Sequence, residues 1–164
     1  MLTGGLATGK TTVAKEVVTI ASALGLHAAA VDLDWLGWAT GATVTLDDLI
    51  ASNLTAVAGN YAAAGVDHLV LARAVVHPGG LRAVARALPA WELTVVRLTA
   101  PRAALEQRIR SRDYGSELLE HLTDLDEMTE KVTAAAPGAH VVVNHGRELG
   151  DVANEVMRLA AWIP

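Results

Sequence analysis

Cysteine is absent from all 164 residues, which excludes disulfides, thiolate metal sites and thiol nucleophiles. Aromatic residues make up only 4%, so the four tryptophans carry much of the large-ring surface. No apolar run approaches the length that crosses a bilayer. No basic region precedes an apolar stretch at the N-terminus, so no secretory signal is expected and a cytoplasmic location is. Lysine and arginine total 13 against 18 aspartate and glutamate, a net charge of −5. That balance weakens long-range attraction to nucleic acid or an anionic membrane, and neither is expected as a partner. The most informative gap is local: no lysine or arginine occurs from Glu16 through Ala72.

What remains is 52% hydrophobic and 19% charged, the balance of one globular domain spanning 1–164. Short β-branched or apolar runs alternate with stretches of helical period, which predicts α/β architecture with a parallel sheet covered by helices. The expected strands are Met1–Thr3, Leu26–Val31, His68–Ala72, Glu92–Leu98 and Ala139–Val143. Helices are expected from Lys10 to Gly25, from Thr45, from Pro78, after Pro101, and from Leu149 to Ile163. The acidic segment 114–131 has helical period but little apolar weight and reads as a mobile lid. A first strand of three residues is short for a sheet centre, so either the natural chain starts further upstream or this strand is truncated.

Gly4-Gly5-Leu6-Ala7-Thr8-Gly9-Lys10-Thr11 fits G-x-x-x-x-G-K-[ST] without a mismatch, between a strand and a helix. Such glycines let successive backbone N–H groups turn inward around an anion, completed by the following helix N-terminus. Lys10 is placed to reach β- and γ-phosphates, Thr11 to ligate Mg²⁺, and Thr12 to donate to the α-phosphate. ATP with Mg²⁺ is the cofactor pair this motif points to. The alternative is a glycine-rich turn that caps a helix.

Asp32 and Asp34 end the second strand, at the sheet edge where ligands bind in open α/β folds. Phosphoryl transfer to an alcohol requires a carboxylate that orients the hydroxyl and takes its proton, and another that holds the metal's water shell. Asp34 suits the first task and Asp32 the second; capping of a short helical segment, 35–37, is the alternative for either. Arg108 and Arg112 stand i, i+4 on one helical face and converge on one ligand, or belong to a charged surface helix beside a Glu106–Arg110 pair.

Gly4 to Thr12, the Asp32-Leu33-Asp34 turn and the Arg108/Arg112 pair together resemble the small P-loop kinases related to shikimate, gluconate and adenylylsulfate kinases. The order of elements is similar along nearly the whole chain; only the phosphate loop is highly specific. The resemblance implies a three-layer P-loop fold with about five parallel strands in the order 2-3-1-4-5. It also implies a substrate-binding helical region at about 35–65 and a lid at about 113–136. By the same resemblance Arg108 lies against the adenine and Arg112 approaches the transferring phosphate, with Lys10, Asp34 and Arg112 as the catalytic set.

The sequence departs from relatives that bind anionic acceptors. Such enzymes need guanidinium or ammonium groups in the substrate region, and this one has none. A neutral or cationic small metabolite with a hydroxyl fits better, with Trp35 and Trp38 either supplying stacking surface or filling the core. Arg73, ending the third strand, is the one cation placed to serve an anionic acceptor instead. Asp47 and Asp48 read as helix N-terminal residues beside Thr45. His77 and His145 occupy turns and are not spaced as metal ligands.

A P-loop ATPase or switch acting on a partner requires a carboxylate ending a neighbouring strand, and strands three, four and five end without one. A kinase acting on polynucleotide ends is disfavoured by the acidic charge and by the missing arginine after Asp34. The expectation is an ATP-dependent phosphotransferase with a small alcohol acceptor, monomeric or homodimeric.

Overall fold

A computed structural model describes residues Met1–Pro164. Five parallel strands form one sheet: β1 (Leu2–Thr3), β2 (Ala28–Asp32), β3 (His68–Ala72), β4 (Val96–Thr99) and β5 (His140–Val143). Their order is β2-β3-β1-β4-β5, as the resemblance implied. The seven helices are α1 (Lys10–Ala23), α2 (Leu33–Gly37), α3 (Leu46–Ala63), α4 (Pro78–Ala87), α5 (Arg102–Arg112), α6 (Gly115–Ala135) and α7 (Leu149–Leu159).

Strand alternation distributes the apolar side chains to two faces. Leu2, Val70, Val96, Leu98 and Val142 meet Val13 and Val17 of α1 and Val152, Val156 and Met157 of α7. Val31 and Leu71 meet Ile50 and Leu54 of α3 and Val84 of α4 on the opposite face. A third, smaller cluster joins Leu105 and Ile109 of α5 to Leu125 of α6. The result is three layers with the strands' C-terminal ends gathered at one edge.

The centre of the sheet is short but well paired. Leu2 is in register with Ala72 on one side and Val96 on the other, and Thr3 with Arg97. Thr3 is fully buried, and its hydroxyl accepts from the Val75 N–H at 3.1 Å. β4 begins at Val96, four residues later than the apolar run suggested. A strand exists only where its neighbours supply ladder partners, and here those begin at Leu2 and His140. β2 likewise starts at Ala28, because the Leu26 N–H is taken by the Ala21 carbonyl at the end of α1. α7 stops at Leu159, earlier than Ile163, with Ala161 in the left-handed region.

The segment read as a lid, 113–136, contains one 21-residue helix, α6. Leu125, Val132 and Ala135 are its buried residues. No helix of the chain is long and apolar enough to cross a membrane.

Candidate nucleotide and acceptor site

Two glycines fix the shape of the phosphate loop. Gly4 has φ 151°, and a Cβ there would lie 2.6 Å from both the Leu98 carbonyl and the Thr8 hydroxyl. Gly9 has φ 89° and forms the N-cap of α1 in the left-handed region, where a side chain would also collide with Asn144. Ala7 is itself left-handed, at φ 55°. With Gly9 capping α1 through backbone alone, the first N–H groups of that helix have no side-chain acceptor. They are left to face an anion.

Lys10 donates from Nζ to the carbonyls of Gly4 at 3.0 Å and Gly5 at 2.9 Å. Burial pushes its pKa down to about 8, with Arg112 acting in the same direction and Asp34 and Asp32 opposing. A triphosphate placed against this ammonium raises its pKa again. Nucleotide binding above about pH 8 therefore takes up a proton. Affinity is expected to be flat below that pH and to fall as pH rises through it. Calorimetry in buffers of different ionisation enthalpy measures that uptake directly.

Thr11 Oγ1 donates to Asp32 Oδ2 at 2.8 Å, joining the loop to the end of β2. Asp32 uses its other oxygen to accept from the Asp34 N–H at 3.2 Å, capping α2. The capping role and the Thr11 contact coexist in one carboxylate. A hydroxyl and a carboxylate converging within hydrogen-bond distance beside an anion cradle make the hard oxygen set that Mg²⁺ prefers. The residues fit that ion and a nucleotide.

Asp34 is 65% exposed, at the mouth of the site. Partial desolvation and the neighbouring Asp32 raise its pKa above the usual carboxylate range, against the lowering pull of Lys10 and Arg73. Arg73 is 8% exposed and donates to Asp47 at 2.9 Å, with Nε 3.7 Å from Asp34. The other oxygen of Asp47 lies 3.2 Å from His77 Nε2. Asp47 is therefore more than a helix-terminal charge. Asp48 does fit that description, paired with the Thr45 cap. Trp35 and Trp38 are not core residues: both are exposed, with ring centroids 4.8 Å apart.

Arg108 and Arg112 both reach the cleft beside the phosphate loop, a cavity of about 460 Å³ lined also by Gly9, Lys10, Thr12 and Asn144. That volume suits a bound nucleotide. Arg108 donates to the Ala7 carbonyl at 3.1 Å and the Asn144 carbonyl at 2.7 Å. Arg112 forms a two-point contact with Asp113, at 2.5 and 2.9 Å. That contact, the largest cause, and a 2.7 Å bond from His121 pull the Asp113 carboxyl down to about 2, against the desolvation that would raise it. Glu106 pairs with Arg102, which also meets Asp126, and not with Arg110 as the spacing suggested.

Asn144 is the site residue that spacing did not single out. Its Nδ2 donates to the Thr8 carbonyl at 2.9 Å, so with Arg108 it brackets the loop from the far side. Asn144→Ala is expected to weaken Mg·nucleotide binding about five- to tenfold, the worth of one hydrogen bond that holds a binding loop. Faster amide exchange at Thr8 and Gly9 would accompany it, and exchange mass spectrometry reads both residues.

No protein-family model matches the chain, and no curated protein matches it by sequence. Solved structures match it by shape. An unliganded sugar kinase from Janibacter sp. HTCC2649 has a TM-score of 0.66 at 18% identity, over 98% of this chain and 92% of the other. A gluconokinase from Sinorhizobium meliloti 1021 has 0.63 at 18% identity, over 98% and 90%. The tunicamycin resistance protein of Deinococcus radiodurans has 0.57 at 15% identity, over 97% and 92%. The chain has the small P-loop kinase fold. In this chain the loop after β1 and the carboxylates at the end of β2 lie at the C-terminal edge of the parallel sheet. A second cavity of about 290 Å³, lined by His68, Trp91 and Trp162 among others, contains none of these residues.

Proposed function

We propose that the chain is an ATP-dependent phosphotransferase acting on a hydroxyl of a small, non-anionic metabolite. One observation carries this reading: Lys10, Thr11, Asp32 and the exposed Asp34 are linked in sequence across the loop and the end of β2. A triphosphate cradle therefore adjoins a carboxylate of raised basicity that is open to an acceptor.

Bound in the loop, Mg·ATP supplies the transferable phosphoryl group; Thr11 and Asp32 are proposed to hold its metal. Residues Gly4, Gly5, Leu6, Ala7, Thr8 and Gly9 present backbone N–H groups to the phosphates, and Thr12 donates its hydroxyl. Lys10 exchanges its loop carbonyls for the distal phosphates. Arg112, held at the cleft by Asp113, neutralises charge that grows during transfer. Arg108 is proposed to face the base from the loop's outer side. Asp34 orients the acceptor hydroxyl and takes its proton; its raised pKa makes it a stronger base than an ordinary aspartate. Segment 113–136 is proposed to close over the nucleotide through α6.

An anionic acceptor on Arg73 is disfavoured, because Asp47 already holds that guanidinium. Incubation with γ-labelled ATP and a library of alcohols, amino alcohols and sugars tests the proposal. Label transfer to a hydroxyl compound is expected. Rapid release of phosphate that no acceptor alters would favour a P-loop ATPase or switch instead.

A further inference from the structure

Tryptophan gains more from burial than almost any residue, yet Trp35 and Trp38 are 68% and 76% exposed. Their planes are tilted 34° at 4.8 Å, so each ring shields one flank of the other and leaves an outer face to solvent. The pair follows Asp34 directly in the chain. Leu46 packs against Gly37 of α2, which holds this short helix on the start of α3.

The interval that carries the pair supplies charge of one sign. Five carboxylates and no lysine or arginine lie between Glu16 and Ala72, and four of them, Asp32, Asp34, Asp47 and Asp48, belong to the end of β2, α2 and the start of α3. The cations that reach in from outside are occupied: Arg73 by Asp47 and Asp34, Arg86 by Asp48 at 3.7 Å, and His77 by Asp47. An anionic ligand meets no free guanidinium here, and a neutral polyol gains stacking alone. A cation gains both the negative faces of two indoles and the surplus carboxylate.

We propose that the acceptor is an alcohol bearing an organic ammonium group, with the cation seated on the exposed faces of Trp35 and Trp38 and the hydroxyl at Asp34. The position of the hydroxyl rests on the phosphotransfer reading; recognition of the cation does not. It makes Trp35 and Trp38 the residues that determine specificity.

The test uses matched probes on the full chain with a non-hydrolysable Mg·ATP analogue. Choline is compared with its neutral isostere 3,3-dimethylbutan-1-ol, and glucosamine with glucose and gluconate. Binding is followed by the indole N–H resonances, assigned with Trp35→Phe and Trp38→Phe. The cationic member of at least one set is expected to bind about tenfold more tightly than its neutral partner. It should shift the Trp35 and Trp38 signals and leave those of Trp91 and Trp162 in place. Trp35→Leu with Trp38→Leu should erase the difference, with an unchanged melting temperature because both rings are exposed. Equal binding of the isosteres, a preference for gluconate, or no binding by any cation overturns the inference. Cation binding without label transfer would sink the phosphotransfer reading and leave this one standing; equal transfer to neutral sugars would do the reverse.

Discussion

Lys10→Ala is expected to lower kcat by about a thousandfold or more, the loss that follows removal of one preorganised charge from a transferring group. Nucleotide affinity should fall with it. The same substitution should not unfold the protein. Burial holds the Lys10 pKa at about 8, well below its usual 10.5. For a cation, a lowered folded-state pKa means destabilisation that is fully present below that pKa and is relieved as pH rises from about 8 towards 10.5. Replacing Lys10 by an uncharged side chain of similar bulk, as in Lys10→Met, is therefore expected to raise the melting temperature while activity is lost. Steady-state kinetics and thermal melts on one preparation check both directions. A lowered melting temperature would show that the ammonium's bonds to the Gly4 and Gly5 carbonyls outweigh its desolvation.

Asp34→Asn separates binding from chemistry. The side chain is exposed and no hydrogen bond of the phosphate loop depends on it, so affinity for Mg·ATP should stay within about twofold. Loss of a positioned general base should reduce kcat by about a hundred- to ten-thousandfold. In the unsubstituted chain the acid limb of the kcat/KM profile should lie above the ordinary carboxylate range, because desolvation and Asp32 raise the Asp34 pKa. Activity should fall as pH drops through that limb, and the limb should disappear in the variant. An equal loss of ATP affinity in Asp34→Asn would reassign this residue to the nucleotide.

The parts of the site that were legible in the sequence are those set by local chemistry. The phosphate loop announces itself because backbone conformation demands glycine at particular steps, as Gly4 and Gly9 illustrate with their positive φ angles. The β3 limits, His68–Ala72, and the Thr45 cap of α3 followed from apolar and capping patterns alone. Contacts between distant segments were not legible. Asn144 reaches Thr8 across 136 positions, and nothing in a strand-ending asparagine signals which loop it will brace. The Arg73–Asp47 pair has the same character: each residue had a reasonable local explanation, and only the packing of α3 against β3 joins them. Trp35 and Trp38 show the limit from the other direction. A scarcity of large side chains argued for burying them, yet both are turned outward on and just after α2, close in sequence to Asp34.

The strand boundaries that shifted did so for a related reason. Residues 92–95 have the composition of a strand, but only the Thr94 and Val95 carbonyls find partners, the Met1 ammonium and the His140 N–H, so the regular ladder of β4 begins at Val96. Composition decides which residues favour extended backbone; pairing decides which of them become sheet.

Titration calorimetry of the chain with Mg·ATP tests the central claim most directly, because every assigned role begins with a triphosphate seated between Gly4 and Thr12. Saturable one-to-one binding is expected, weakened above about pH 8 and abolished in Lys10→Ala. Absence of heat at millimolar nucleotide, or binding that Lys10→Ala leaves intact, would contradict it.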